Sequence, residues 1–225
     1  MATTRTPLSR QRILQAALEL VDGGGLEALT MRKLAQALGF EAMSLYNHVA
    51  NKDDVINGIL DLALSETDLP SAPQDWRAAI RASAISVHDA LRRHPWAPAL
   101  LMSPDRIRPS RLQYMDALLG RLREAGFSAE TTYHAYHALD GHIVGFSLWQ
   151  AGHTFKREDL PQLAASFIRE HPLDDYPHMQ EHFDQHLAGD FDDVSAFAFS
   201  LDLILDGLER MRERPAASRR SLPNR

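Results

Sequence analysis

Between Leu29 and Lys52 the chain reads LTMRKLAQALGFEAMSLYNHVANK, and the apolar spacing in this run admits few folds. Met31, Leu34, Ala35 and Leu38 recur at i, i+3, i+4 and i+7, which predicts a short helix over about Thr30 to Leu38 with one inward face. Gly39 ends it, because glycine takes the left-handed backbone conformation at little cost. The chain restarts within a few residues. Ala42, Leu45 and Val49 then form a second apolar line and leave Ser44, Asn47 and His48 on another face. Two short helices joined by a glycine turn predict a helix-turn-helix.

The chemistry of the outward face suits duplex DNA, whose major groove is about 12 Å wide and presents donors and acceptors on base edges. Thr30 can cap the first helix and face a phosphate. Arg32 can reach base or phosphate, Tyr46 can stack or donate its hydroxyl, and Lys52 brings a cation to the backbone at the start of the next helix. The alternative at this point is an ordinary three-helix end of an α-helical enzyme, with Tyr46 and His48 half-buried.

In these same residues the chain resembles the TetR family of bacterial repressors, in the branch with a carboxyl-terminal domain like that of the tetracycline repressor. The runs LTMRKLAQALG and LYNHVANK are similar to that family's second and third helices and the start of its fourth. The resemblance implies that Thr30, Arg32, Ser44, Tyr46, Asn47, His48 and Lys52 contact DNA. Ala42 stands where that branch carries a polar base-reading residue, which implies a different operator sequence.

Length leaves one large core or two small domains open, since 225 residues suffice for either. No apolar run approaches the ~20 residues that span a bilayer. Cysteine is absent, which excludes disulfides, thiolate zinc sites and cysteine nucleophiles. The amino terminus lacks a signal peptide's apolar core, so the expected location is cytoplasmic. The net charge of −6 is unevenly spread: residues 1–52 hold six Lys/Arg against four Asp/Glu, and the remainder eighteen against twenty-six. A mildly basic reader on an acidic body fits that asymmetry.

In chain order, Met1 to Leu8 read as a mobile arm, and Ser9 caps a helix whose inward stripe is Ile13, Ala16, Ala17, Leu20 and Val21, stopped by Gly23, Gly24 and Gly25. Asn51 caps a connector helix reaching about Glu66, with Asp53 and Asp54 in its first turn. SETDLPSAPQD, with two prolines, marks a boundary. The expected division is a DNA-binding domain with connector over 1–64, a helical body over 75–214, and a disordered tail over 215–225. In the body, Trp76, Ile80, Ser83, Val87 and Leu91 form one helical stripe ended near His94, and Leu112, Met115, Leu119 and Leu122 form another that stops at Gly126. WAPALLMSPDRIRP between them reads as irregular. Ser128 caps a long helix carrying Gly141 and Gly145, a short helix covers about Leu160 to Glu170, and a polar one lies near Met179 to Leu187. Val194, Phe197, Ala198, Leu201, Leu205, Leu208 and Met211 predict a last long helix, which Phe199, Leu203 and Ile204 make apolar beyond the needs of one core. No strand runs appear, so the fold class is all-α.

The resemblance implies that the body both dimerises and binds a small molecule, its long helices pairing with their copies. From the residues alone, the alternative is a helix buried centrally in a monomer. The candidate pocket set mixes large apolar with polar groups: Trp96, Met102, Arg106, Tyr114, Tyr133, His134, His137, Phe146 and Trp149. The same aromatics at helical spacing could be plain core. GFSAETTYHAYHALDGHIVG keeps the branch's helix start, but its histidine is displaced by one, so the metal-drug ligand set is not carried over. His178, His182 and His186 share one helix face at i, i+4 and i+8, a pattern zinc can use, but no Glu accompanies them in an H-E-x-x-H run; no metal or cofactor is expected. No G-x-S-x-G, P-loop or G-x-G-x-x-G appears, so no enzyme is expected, and an all-helical adaptor is the remaining alternative. The expected partners are a double-stranded DNA operator, an unidentified effector and a second copy of the chain; no membrane is expected.

Overall fold

The computed structural model describes residues 7–70, 75–153, 160–171, 173–188 and 193–213. The expected mobile arm falls largely outside them, as does the expected disordered tail. Among the described residues there are eleven α-helices and no strand: α1 Arg10–Gly24, α2 Met31–Leu38, α3 Ala42–Leu45, α4 Lys52–Ser65, α5 Trp76–Arg93, α6 Ala97–Leu101, α7 Pro109–Glu124, α8 Ala129–Gly152, α9 Leu160–Glu170, α10 Pro177–Ala188 and α11 Asp193–Glu213. The chain is all-α, and no described helix is long and apolar enough to cross a membrane.

The helix ends follow from local chemistry. Ser9, Thr30, Asn51 and Ser128 each have extended backbone, and their side chains accept from the N–H three residues on. Gly39, at φ 73° and ψ 33°, is left-handed, which lets the N–H groups of Gly39 and Phe40 close on the carbonyls of Gln36 and Ala35.

The first four helices pack as a small unit, α1 against α2 and α4, and α2 against α3. Its core is Ile13, Leu14, Ala17, Leu18, Val21, Leu34, Ala35, Leu38, Leu45, Val49, Val55 and Ile59. The buried stripe of α1 therefore includes Leu14 and Leu18, while Ala16 and Leu20 are half-buried. Gly58 explains how α1 and α4 come so close, because a Cβ there would sit 2.5 Å from the Leu14 methyl carbon Cδ2.

Around α8 the body assembles α5, α6, α7 and α11. The α5 stripe is buried as read, and in α11 Phe197, Leu201, Leu205 and Leu208 point inward. Two expectations are corrected. WAPALLMSPDRIRP contains α6 and a 3₁₀ turn at Pro104–Arg106, because proline in a first turn starts a helix rather than breaking one. The inward face of α7 is Arg111, Tyr114, Leu118 and Leu122, with Leu112 exposed and Met115 and Leu119 half-buried. That rotation follows from Arg111, which ion-pairs with Asp140 of α8 and lies over the Tyr114 ring; a buried guanidinium is tolerated when it is paired in this way. Leu118→Ala should therefore cost about 2–5 kcal/mol in urea unfolding, and Leu112→Ala less than about 1 kcal/mol, the reverse of equal inward placement.

Candidate DNA-reading face and effector region

The outer edge of the amino-terminal unit gathers the predicted readers. Leu45 and Val49 are buried beneath α3 and the turn that follows it, so the intervening residues are forced outward: Tyr46, Asn47 and His48 are exposed, and Ser44 is half-buried. Thr30 and Arg32 are exposed at the start of α2, and Lys52 at the start of α4. Helix α3 is shorter than its apolar line suggests, since residues 46–48 form a turn rather than continuing the helix. Met43, at 75 % exposure, shares this edge and was not among the predicted readers. Its apolar character hid it, although an exposed thioether suits contact with a thymine methyl.

Behind this edge Arg10 donates to both Asp54 oxygens, at 2.8 and 2.7 Å, and to the His48 carbonyl at 3.3 Å. The hydrogen bond from Arg10, reinforced by the Ala50 N–H, holds the Asp54 carboxyl down at about 2. Asp54 is thus ionised at any pH at which DNA is a duplex. No spacing rule links residues 44 apart, so the sequence carried no signal for this pair.

Several polar contacts pin the amino-terminal unit to the body. Asp22 Oδ1, at the end of α1, accepts from Trp96 Nε1 at 2.8 Å and meets His94 Nδ1 at 2.8 Å, and the other ring nitrogen of His94 lies 3.4 Å from Glu66. Arg106 donates to Asn57 at 2.7 Å and Asp53 at 2.5 Å, both on α4. The Ser110 N–H and hydroxyl both donate to the Asp61 carboxylate on α4.

The nine pocket candidates therefore fall in different places. Trp96 and Arg106 lie at the joint between reader and body. Tyr114 is buried beside Arg111, where burial pushes its hydroxyl pKa well up. Met102 is exposed, and Tyr133, His134 and His137 form an exposed ring cluster on α8, with the His137 ring 4.4 Å from that of Tyr133. Phe146 and Trp149 are brought together, 5.7 Å between ring centroids.

Phe146 belongs to a cluster the sequence did not single out. Fully buried His88 of α5 stacks on Phe197 of α11 at 3.9 Å and hydrogen-bonds Ser147 at 3.0 Å. His142 also stacks on Phe197, at 4.7 Å, and donates from Nε2 to the Phe197 carbonyl at 3.1 Å. The available signal was His88, one position beyond the inward Val87 of α5. Desolvation lowers the His142 pKa, and the carbonyl hydrogen bond opposes it. His178 and His182 are exposed on α10, the His186 side chain lies outside the described residues, and among the described residues no three metal-ligating side chains converge.

Two family descriptions match consecutive parts of this chain. "Bacterial regulatory proteins, tetR family" covers residues 13–59, and "Tetracyclin repressor-like, C-terminal domain" covers residues 69–212. The chain belongs to the TetR family. The transcriptional repressor DrrR1 of Streptomyces coeruleorubidus is 32% identical over 90% of this chain and 77% of its own length. The class C tetracycline repressor of Escherichia coli is 31% identical over 91% of this chain and 92% of its own. The crystal structure of the TetR-family protein ActR from Streptomyces coelicolor in complex with actinorhodin superposes with a TM-score of 0.74, at 26% identity, covering 92% of this chain and 97% of that one. The chain is accordingly a DNA-binding transcriptional regulator of the repressor type.

A histidine whose pKa is lower folded than unfolded takes up a proton more readily in the unfolded chain. Its contribution is therefore complete above the ordinary imidazole value of 6.5 and is lost as the pH falls below it. Stability measured by urea unfolding should fall between pH 7 and pH 5, and His142→Asn should flatten that fall.

Proposed function

We propose that this TetR-family protein acts as a homodimer on a palindromic operator, from which a small molecule bound in the body releases it. The observation that carries the reading is the outward edge of the first four helices, where hydroxyl, amide, imidazole and ammonium groups stand exposed over buried Leu45 and Val49. Thr30, Arg32, Ser44, Tyr46, Asn47, His48 and Lys52 contact the duplex, the last at a phosphate. Residues 1–64 form the reader with its connector, residues 75–214 the body, and residues 215–225 a tail; the protein works in the cytoplasm.

Dimerisation is supported by what one copy leaves uncovered. On α11 Phe199 is 66 % and Leu203 57 % exposed. On α8 Ala138, Gly141, Gly145 and Leu148 form an outward stripe, and a Cβ built on Gly141, Gly145 or Gly207 meets nothing within 4 Å. A second copy whose helices approach these glycines would bury the stripe, and two readers about 34 Å apart would then meet successive major grooves. Effector binding belongs near Phe146 and Trp149, where aromatic faces and the polar groups of His88, Ser147 and His142 occur together. An extended ring system suits such a surface; one relative is named a tetracycline repressor, and the ActR structure is a complex with actinorhodin. Ligand and operator each weaken the other's binding, and about 3 kcal/mol of coupling corresponds to roughly 150-fold release.

Selection of bound sequences from random DNA should return an inverted repeat with half-sites 10–11 base pairs apart, by the geometry of paired readers. Tyr46→Ala and Lys52→Ala should weaken binding to it, and Lys52→Ala should also reduce the salt slope by about 0.9 for each subunit bound. Absence of any selected sequence, or unchanged affinity and slope in both variants, overturns the reading. Sedimentation should give twice the 25.2 kDa chain mass, and Phe199→Glu with Leu203→Glu should give the single mass. Actinorhodin and tetracycline are the first probes for release.

A further inference from the structure

The pair formed by Arg10 and Asp54 occupies an unusual position for its charges. Arg10 opens α1, where the helix dipole disfavours a cation. Its guanidinium instead crosses to α4 and grips both oxygens of Asp54, the fork-to-fork geometry that arginine provides and lysine does not. Both side chains also touch the backbone that leaves α3. Arg10 Nη1 donates to the His48 carbonyl, and Asp54 Oδ2 accepts from the Ala50 N–H at 2.9 Å. Between them, Val49 is buried. Three consecutive residues at the exit of the turn are thus fixed, two by the ion pair and one by the core.

That turn is Tyr46–Asn47–His48, closed by bonds from the His48 and Val49 N–H groups to the Leu45 carbonyl, after which the helical pattern stops. With α3 just four residues long, these two bonds to one carbonyl are a thin hold on the turn, and contacts from outside α3 add to it. We propose that Arg10 and Asp54 are positioning residues for operator recognition, clamping the exit of the turn so that Tyr46, Asn47 and His48 meet base edges at a fixed depth. The inference rests on the DNA-contact reading above and adds to it two residues that need not touch DNA. It makes an unusual demand on charge: Asp54 is a carboxylate on the DNA-facing unit, so its removal should by Coulomb's law alone tighten binding to any duplex.

The test compares the selected operator with a random duplex of equal length, at several salt concentrations, for the full-length wild type, Asp54→Asn, Arg10→Lys and Tyr46→Ala. Asp54→Asn removes the charge and keeps the shape, and Arg10→Lys keeps the charge and removes the fork. Positioning predicts that both lower operator affinity by about tenfold while random-duplex affinity is unchanged or higher, so that the ratio between the two collapses. The salt slope should hold for Arg10→Lys. Asp54→Asn binding the operator as tightly as the wild type, or Arg10→Lys keeping full discrimination, overturns the clamp; so does an equal loss on both duplexes, which reports general loosening of the fold. Should Asp54→Asn fail to fold, Arg10→Lys decides alone. Tyr46→Ala separates the two levels: if it loses discrimination while the clamp variants do not, the DNA face stands and the clamp falls, and if Tyr46→Ala is also silent the DNA face itself is misassigned.

Discussion

Helix α4 is buried on two sides, and that constraint organises the molecule. Val55, Ile59 and Leu60 leave no surface exposed, and α4 packs on α1 toward the reader and on α5, α6 and α7 toward the body. Each of these side chains is worth about 1.5–3 kcal/mol of transfer free energy, so the helix cannot leave either neighbour cheaply. A single apolar cluster consequently runs from Ile13 to Leu208 with no break between the two parts. The buried faces supply adhesion and the polar contacts supply register.

Those polar contacts are spaced along α4 and around its ends. Asp53 and Asn57 take Arg106, Asp61 takes Ser110, and Glu66, just past the helix, takes Arg93 and faces His94. Taken singly, exposed pairs such as Arg93 with Glu66 contribute less than about 1 kcal/mol. Together they fix rotation of α4 about its axis, which an apolar surface alone tolerates. The ion pairs of Arg77 and Arg81 with Asp206 and Asp202 do the same for α5 against α11.

Periodicity and caps made most of the fold legible. Ser9, Thr30, Asn51 and Ser128 stand at the helix starts read from the sequence, and Gly39 at the stop, because these signals act within four residues and tertiary packing had no reason to oppose them. The α7 face was misread because apolar counting cannot foresee that Arg111 finds Asp140 and turns inward. The outward placement of Tyr46, Asn47 and His48 was legible for the same local reason as the caps: Leu45 and Val49 dictate what must face away. The effector region was not. Whether Trp96 lines a cavity or bonds Asp22, 74 residues distant, depends on how helices far apart in sequence meet, and no spacing encodes that. His88, Ser147 and Phe197 come from three helices and converge only after folding.

The neighbours Asp53 and Asp54 face different masters, Arg106 of the body and Arg10 of the reader. Both sit at the tip of a rod of 14 residues, about 21 Å long, whose other end is anchored near Leu64. A swing of only about 5° about that anchor carries the tip sideways by nearly 2 Å, several times the roughly 0.5 Å spread of distances over which a hydrogen bond holds. The length of α4 thus multiplies at its tip whatever rotation its base permits, and Arg106 and Arg10 are the contacts that would have to give.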